Sequence, residues 1–147
     1  MTNKKLLAVA SQGGHLIQLM RLKPLFDRYD TSYVSSQRHE YMGKKFTRIV
    51  DANRNAKLKL LVLFAQMLWV IITKRPDVVI SSGAAPGYFA LLLGKIFGAK
   101  TIWLDSIANA EELSLSGRRA GRFADLWLTQ WPEVARENGP QYGGRVL

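Results

Sequence analysis

Two short apolar runs, each followed by a turn of small residues, constrain the fold of this chain most strongly. Residues 6–10 precede the turn 11–15, and residues 78–81 precede the turn 82–87. Apolar residues at helical spacing follow each turn. A strand, a turn and a helix in this order begin a βαβ unit, which needs a parallel sheet covered on both faces. We therefore predict an α/β fold: a Rossmann-like parallel sheet with helices on both faces.

The remaining segments continue this alternation. Four further strands are predicted at residues 31–35, 48–51, 100–105 and 126–129. Helices are predicted at residues 16–29 with a break at Pro24, at 57–73 and at 88–97, and a short one is predicted to begin at Pro132. Residues 106–121 are predicted to be irregular. We expect one domain over residues 1–138 and a polar, glycine-rich tail at 139–147.

Composition and charge limit the classes of function. The 147 residues include no cysteine and two histidines, which argues against a disulfide scaffold and a zinc site, so no metal site is predicted. The net charge is +10, and residues 1–59, with 12 basic and 4 acidic residues, carry +8 of it. An anionic partner is expected: nucleic acid, phospholipid headgroups or a phosphorylated substrate.

The turns after the first and fourth strands are the predicted ligand site, because parallel sheets bind ligands at the carboxyl ends of their strands. A glycine pair before a helix N-terminus suits a phosphate or diphosphate, and His15 could serve as a base or as a hydrogen-bond donor. For residues 11–15, an ordinary tight turn capped by His15 is an equally open interpretation. For residues 82–87, a plain βα turn without a ligand is a simpler interpretation than a binding site. The substrate-binding candidates here are Ser11, Gly13, Gly14, Ser82, Gly83, Ala84, Pro86 and Gly87.

The helix at residues 57–73 is unusually apolar, with Gln66 as the one polar residue between Leu60 and Ile72. Those residues span about 20 Å, less than the roughly 30 Å of a bilayer core. Basic residues at both ends favour a helix lying among anionic headgroups, although a helix covered by the sheet and a neighbour has the same pattern. The predicted membrane-contacting residues are Lys57, Lys59, Leu61, Phe64, Leu68 and Trp69.

The segment after the fifth strand supplies further candidates. Asp105 and Ser106 directly follow that strand and are expected to face the cleft, with Asp105 as the second choice for a catalytic base after His15. Arg118, Arg119 and Arg122 are candidate phosphate ligands, with Arg118 selected as the substrate-binding residue, and a solvated basic face is the alternative for all three.

Five motifs in this order resemble a known family. They are the sequences at residues 11–16, 82–87, 104–106 and 113–117, and the pair 124–126 and 130–131. Together they are similar to the acceptor-binding, membrane-associating subunit of two-subunit GT-B glycosyltransferases. That group includes PssD-like bacterial polysaccharide proteins and the anchoring subunit of the eukaryotic dolichyl-diphosphate N-acetylglucosaminyltransferase, and it is related to the N-terminal half of MurG.

The resemblance implies a specific division of labour. This chain would have the fold of the N-terminal half of a GT-B enzyme and would bind a polyprenyl-diphosphate-linked sugar at the cytoplasmic face of the cell membrane. A separate catalytic subunit would hold the UDP-sugar, so this chain would bind no cofactor itself and would be inactive alone. The turn containing His15 would face the acceptor diphosphate, Ser116 would contact substrate, and the tail would contact the partner.

Two other classes of function stay open at this point. A stand-alone Rossmann-like nucleotide-dependent enzyme is disfavoured because the G-x-G-x-x-G fingerprint is missing. A basic nucleic-acid-binding protein fits the charge, but no nucleic-acid-binding motif is present, so we expect no nucleic acid partner.

Overall fold

The computed structural model describes residues 4–37, 39–52 and 55–145. Strands and helices alternate along this part of the chain. The strands are β1 (Lys5–Ala10), β2 (Asp30–Ser35), β3 (Thr47–Arg48), β4 (Val78–Ser81), β5 (Lys100–Leu104), β6 (Leu126–Thr129) and β7 (Gln141–Tyr142). The helices are α1 (Gly14–Met20), α2 (Lys23–Phe26), α3 (Lys57–Lys74), α4 (Ala84–Ile96) and α5 (Leu115–Ala120).

The seven strands form one sheet in the order β3-β2-β1-β4-β5-β6-β7, and every neighbouring pair is parallel. This confirms the predicted parallel α/β fold. The chain leaves β1 toward β2 on one side and returns to β4 on the other. The carboxyl ends of β1 and β4 therefore flank the topological switch point, where open α/β sheets bind ligands.

The two faces of the sheet pack against different helices. In β1, Leu6, Ala8 and Ala10 face a core that also contains residues of α1 and α2. Leu7 and Val9 face the opposite core, to which α3, α4 and α5 contribute. Strand alternation thus divides one short apolar run between two layers, as a sheet with helices on both faces requires.

Helix α3 is buried along one row of side chains and exposed along another. Leu63, Met67, Val70 and Ile71 are buried against the sheet and α4. A second row is exposed and apolar, consisting of Leu58, Leu61, Val62, Trp69 and Ile72. No described helix is both long enough and apolar enough to cross a bilayer.

Several local assignments differ from the sequence prediction. The segment 106–121, predicted as irregular, contains α5, which begins because the Ser114 side chain accepts a hydrogen bond from the Gly117 amide at 2.9 Å. Pro132 begins an isolated turn instead of a helix. The Ala135 amide donates a 3.2 Å hydrogen bond to the Pro132 carbonyl oxygen and closes this turn. Helix α4 begins at Ala84, four residues before the predicted start.

The predicted tail contributes the edge strand of the sheet. Gln141 and Tyr142 pair with Leu128 and Thr129 of β6. Arg145 stacks on the indole ring of Trp131, with 4.3 Å between the guanidinium carbon and the ring centroid. Residues 146–147 of the predicted tail lie outside the described residues.

Candidate functional site

The site is built where the turns after β1 and β4 meet. The Ser82 hydroxyl donates a 2.6 Å hydrogen bond to the carbonyl oxygen of His15, and the His15 Nδ1 atom lies 3.1 Å from the Ser82 carbonyl oxygen. A carbonyl oxygen only accepts, so this bond places the proton on Nδ1. The neutral His15 ring therefore keeps an unprotonated Nε2 atom, which can accept a proton.

Glycine at position 83 makes room for this histidine. A Cβ atom on Gly83 would lie 2.5 Å from both the Cε1 and Nδ1 atoms of His15. Gly83 has φ +148° and ψ −179°, a conformation almost confined to glycine. The next residue, Ala84, has φ +66°, which is uncommon for a residue with a side chain. The turn thus requires glycine at position 83 and holds Ala84 in an uncommon conformation beside His15.

A cleft of about 430 Å³ opens beside this turn. Its walls are largely apolar and include Leu60, Ala85, Tyr88, Phe89 and Leu115. Polar groups also line it, on His15, Ser116 and Arg119 and on the hydroxyl-bearing residues Tyr88 and Ser114. A mostly apolar cleft with a few convergent polar groups is typical of small-molecule sites, and the arginine favours an anionic part in the ligand.

The predicted substrate-binding residues fall into two groups. His15, Ala84 and Ser116 line the cleft, and Gly13 and Gly14 are exposed at the adjacent turn. The remaining residues of the two turns are buried and support the turn backbone; they are Ser11, Ser82, Gly83, Pro86 and Gly87.

Of the three arginines predicted as phosphate ligands, Arg119 lines this cleft, whereas Arg118, the one selected as substrate-binding, is not among the lining residues. Position 119 lies three residues after Ser116, on the same face of α5. The aromatic wall formed by Tyr88 and Phe89 was missed. Both residues lie in the first turns of α4, which the sequence prediction began too late.

Asp105 is buried, with 1% of its surface exposed. Its carboxylate accepts four hydrogen bonds: from the Trp103 indole at 3.0 Å, the Asn109 amide at 3.1 Å, and the Ser114 amide and hydroxyl at 3.1 and 2.7 Å. The carboxylate thus ties β5 to the residue that caps α5. This arrangement positions Ser116 and Arg119 and leaves little of Asp105 to contact a substrate.

A buried amide pair links α1 to the carboxyl ends of β5 and β6. The Gln18 Oε1 atom accepts hydrogen bonds from the Gln130 side chain at 2.8 Å and from the Ile107 amide at 3.1 Å. The predicted substrate ligand Ser106 is also buried, and its hydroxyl accepts from the Gln18 amide at 3.3 Å. Sequence reasoning missed this network because a single buried glutamine in an amphipathic helix has no distinctive pattern.

The predicted membrane-contacting residues of α3 also fall into two groups, exposed and half-buried. Lys57, Lys59, Leu61 and Trp69 are exposed. Phe64 and Leu68 are half-buried and pack against the core, and the Phe64 ring contacts that of Phe89 with 5.5 Å between centroids. The exposed apolar row is completed instead by Leu58, Val62 and Ile72.

Comparisons with known proteins agree with this fold. The family described as "Oligosaccharide biosynthesis protein Alg14 like" matches residues 6–146. Mouse UDP-N-acetylglucosamine transferase subunit ALG14 is 27% identical over 184 residues, covering 97% of this chain and 83% of the mouse protein. The corresponding fission yeast subunit, from Schizosaccharomyces pombe, is 37% identical over 67 residues, 41% of this chain and 31% of that protein.

Solved structures show the same architecture at low identity. MurG from Acinetobacter baumannii superposes with a TM-score of 0.79 at 13% identity, over 98% of this chain and 46% of the MurG chain. UDP-N-acetylglucosamine 2-epimerase from Rickettsia bellii gives 0.67 at 16%, over 88% of this chain and 39% of that enzyme. The chain therefore spans less than half of each and has the fold of the N-terminal half of the GT-B architecture. With the family match extending over residues 6–146, the chain belongs to the Alg14-like family of oligosaccharide biosynthesis proteins.

Proposed function

We propose that this chain is the acceptor-binding, membrane-associating subunit of a two-subunit UDP-N-acetylglucosamine transferase. Family membership supports the assignment as a transferase subunit, since the mouse and fission yeast relatives carry that description. The observation that supports acceptor binding is the cleft at the switch point, because it combines an apolar wall with His15 and Arg119. The acceptor is a polyprenyl-diphosphate-linked sugar.

The composition of the cleft fits the three parts of such an acceptor. Tyr88, Phe89 and Leu115 offer an apolar wall for the first isoprenyl units. The Arg119 guanidinium and the Ser116 hydroxyl can bind the diphosphate, since a guanidinium pairs well with phosphate oxygens. His15 then lies beside the sugar that follows the diphosphate.

His15 acts as the general base in this proposal. The Ser82 carbonyl oxygen holds the proton on Nδ1, so Nε2 can accept the proton of the acceptor hydroxyl. The hydroxyl oxygen then bonds to the anomeric carbon of the donor sugar while the bond from that carbon to UDP breaks. A protonated His15 would instead donate from Nε2 to the diphosphate, which is the alternative role.

The donor nucleotide binds to a separate catalytic subunit. This chain corresponds to less than half of MurG, and the mouse and fission yeast relatives are described as transferase subunits, which supports a second chain that supplies the other half of the GT-B enzyme. Transfer therefore needs both chains, and this chain binds no cofactor of its own. The C-terminal segment near Trp131 and Arg145 lies at the carboxyl edge of the sheet and is the proposed contact for that partner.

Helix α3 places the protein on the membrane. Leu58, Leu61 and Trp69 are 76%, 65% and 61% exposed, and the exposed row from Leu58 to Ile72 is about 21 Å long. Basic residues flank this row: Lys57 and Lys59 at one end, Lys74 and Arg75 at the other. Such a helix lies among anionic headgroups, at the cytoplasmic face where a lipid-linked acceptor is accessible to a nucleotide sugar.

The partner is tested by purifying the tagged chain from membranes of its native host and identifying the bound proteins. A co-purifying protein with a UDP-sugar-binding pattern is expected, and the two together should transfer N-acetylglucosamine to a polyprenyl-diphosphate-linked sugar. Transfer by this chain alone would contradict the two-subunit proposal.

The role of His15 is tested in the reconstituted pair. His15→Gln should lower kcat by about 100-fold or more with little change in KM, because it removes the base. His39→Gln is the matched control, since His39 is exposed and does not line the cleft. Equal rates for wild type and His15→Gln would exclude the base assignment, whereas a raised KM with unchanged kcat would indicate diphosphate binding.

Membrane attachment is tested by flotation with anionic vesicles. A triple replacement of Leu58, Leu61 and Trp69 by Ser should abolish flotation without unfolding the chain, because all three side chains are exposed. The matched control replaces three exposed apolar residues of the opposite layer by Ser: Ile17, Leu25 and Met42. Equal flotation of the two triple variants would contradict the assignment to α3.

A further inference from the structure

A second cavity, of about 460 Å³, adjoins the turn 11–15 at Gln12, whereas the acceptor cleft adjoins the same turn at His15. It opens between the carboxyl ends of β2 and β3 and the first turns of α3, and the polar residues that line it are Gln12, Ser36, Arg48, Asp51, Lys59 and Gln66. The acceptor proposal uses none of them except Lys59, and that one only as part of the basic surface.

Hydrogen-bond donors predominate in this cavity. The three ion pairs recorded among residues 4–37, 39–52 and 55–145 do not include Arg48, Lys59 or Asp51. Ser36 uses its Oγ atom to accept from the Gln12 amide at 3.0 Å, so its hydroxyl proton is available. The arginine, the lysine and the hydroxyl can thus surround an anion.

The cavity also has acceptors and a defined wall. Gln66 is the one polar residue of the apolar stretch of α3, and its Oε1 atom accepts from the Val50 amide at 2.8 Å, which holds the loop after β3 against the helix. The Gln66 amide nitrogen keeps its donors for the cavity. The Asp51 carboxylate accepts a long bond of 3.4 Å from Gln12 and can accept hydroxyl groups of a ligand.

The position of the cavity indicates where its ligand comes from. Lys59 lies between Leu58 and Leu61, the first exposed residues of the apolar row on α3. A ligand whose anionic part enters the cavity can therefore keep an apolar part beside that row. A phospholipid combines these two parts in one molecule.

We propose that this cavity binds the headgroup of an anionic phospholipid whose headgroup carries hydroxyl groups, as phosphatidylglycerol does. The phosphate binds Arg48 and Lys59, the headgroup hydroxyls bind Asp51 and Gln12, and the acyl chains lie along the exposed row of α3. This inference rests on the membrane-facing orientation of α3 proposed above. The protein would then have a discrete lipid site, separate from the acceptor cleft, in addition to the general attraction of its basic residues to an anionic surface.

The test compares binding of full-length variants to phosphatidylcholine vesicles with and without phosphatidylglycerol. Arg48→Gln should weaken binding to the phosphatidylglycerol vesicles about tenfold, as expected for loss of a charge-assisted hydrogen bond. Arg28→Gln is the charge-matched control, because exposed Arg28 lies just before β2, at the opposite end of the sheet, and should change binding less than about threefold. Equal losses for the two variants would show general surface charge and overturn the proposal.

Two further arms identify the ligand and separate this inference from the proposed function. Soluble glycerophosphoglycerol should displace the protein from the vesicles at lower concentrations than inorganic phosphate, and equal potency would overturn the headgroup assignment. Arg48→Gln should transfer sugar to a short, water-soluble acceptor in detergent at the wild-type rate. Loss of that transfer would place the cavity in the acceptor site and overturn the inference. Inactivity of the wild-type pair would instead refute the proposed function, and the vesicle result would still stand.

Discussion

Replacing Gly83 by Ala tests the geometry around His15 most directly. The added Cβ atom would lie 2.5 Å from the His15 ring, and ordinary contacts begin at 3.4 Å, so the ring must retreat by about 0.9 Å. Such a shift would stretch the 3.1 Å bond between Nδ1 and the Ser82 carbonyl oxygen beyond hydrogen-bonding range. A misplacement of about 1 Å in a catalytic group typically costs roughly 100-fold in rate. We therefore expect kcat of the reconstituted pair to fall about 100-fold.

The same substitution has a stability cost that must be separated from the effect on the histidine. At φ +148° and ψ −179° a residue with a side chain costs about 1–3 kcal/mol in free energy of unfolding, measured by urea titration. Gly98→Ala is the matched control: Gly98 also has a positive φ, of +91°, but a Cβ atom there would contact nothing within 4 Å. It should lose stability and keep its activity. A folded Gly83→Ala variant with wild-type kcat would refute the reasoning.

Four further substitutions test other parts of the structure. Asp105→Ala should lower the free energy of unfolding by about 2–3 kcal/mol in urea titrations, because it leaves buried donors without an acceptor; a neutral effect would contradict the loop-holding role. The Lys95 hydrogen bond holds the pKa of Asp125 below its ordinary value, so this carboxylate stabilises the fold at neutral pH and loses that effect as pH falls through its folded-state pKa. Asp125→Asn should accordingly be less stable than wild type at pH 7, with a difference that shrinks below about pH 4. Within α3, Leu63→Ala should cost about 2–5 kcal/mol and Leu61→Ala less than about 0.5 kcal/mol, since the first side chain is buried and the second exposed; similar losses in thermal unfolding would contradict the orientation of the helix.

The sheet was predictable because its signal is local. The apolar run of β1 and the run of β4 each end in a turn of small residues, and these patterns alone define a parallel sheet with helices on both faces. Strand direction likewise predicts a ligand site at the turns that contain His15 and Gly83, and the structure brings these two turns into contact. Both predictions follow from strand direction and need no knowledge of side-chain contacts.

The details that sequence could not supply depend on contacts between distant residues. Asp105 directly follows a strand, as a cleft residue would, yet it turns inward because Trp103, Asn109 and Ser114 all donate to it. The edge strand β7 was missed because two residues in a polar segment carry no period-two pattern. The apolar stretch of α3 did not reveal which of its rows is exposed, because nearly every residue in it is hydrophobic.

The two edges of the sheet have a consequence for how this protein associates with itself. Both outer strands, β3 and β7, contain only two residues and so present few unpaired backbone groups to a neighbouring chain. Short edges of this kind suppress the strand-to-strand pairing that leads to fibrils. The large apolar surface of α3 is instead helical, and its backbone donors beyond the first turn are paired within the helix. Self-association away from lipid should therefore proceed through α3, as amorphous clusters that detergent disperses and not as ordered β aggregates.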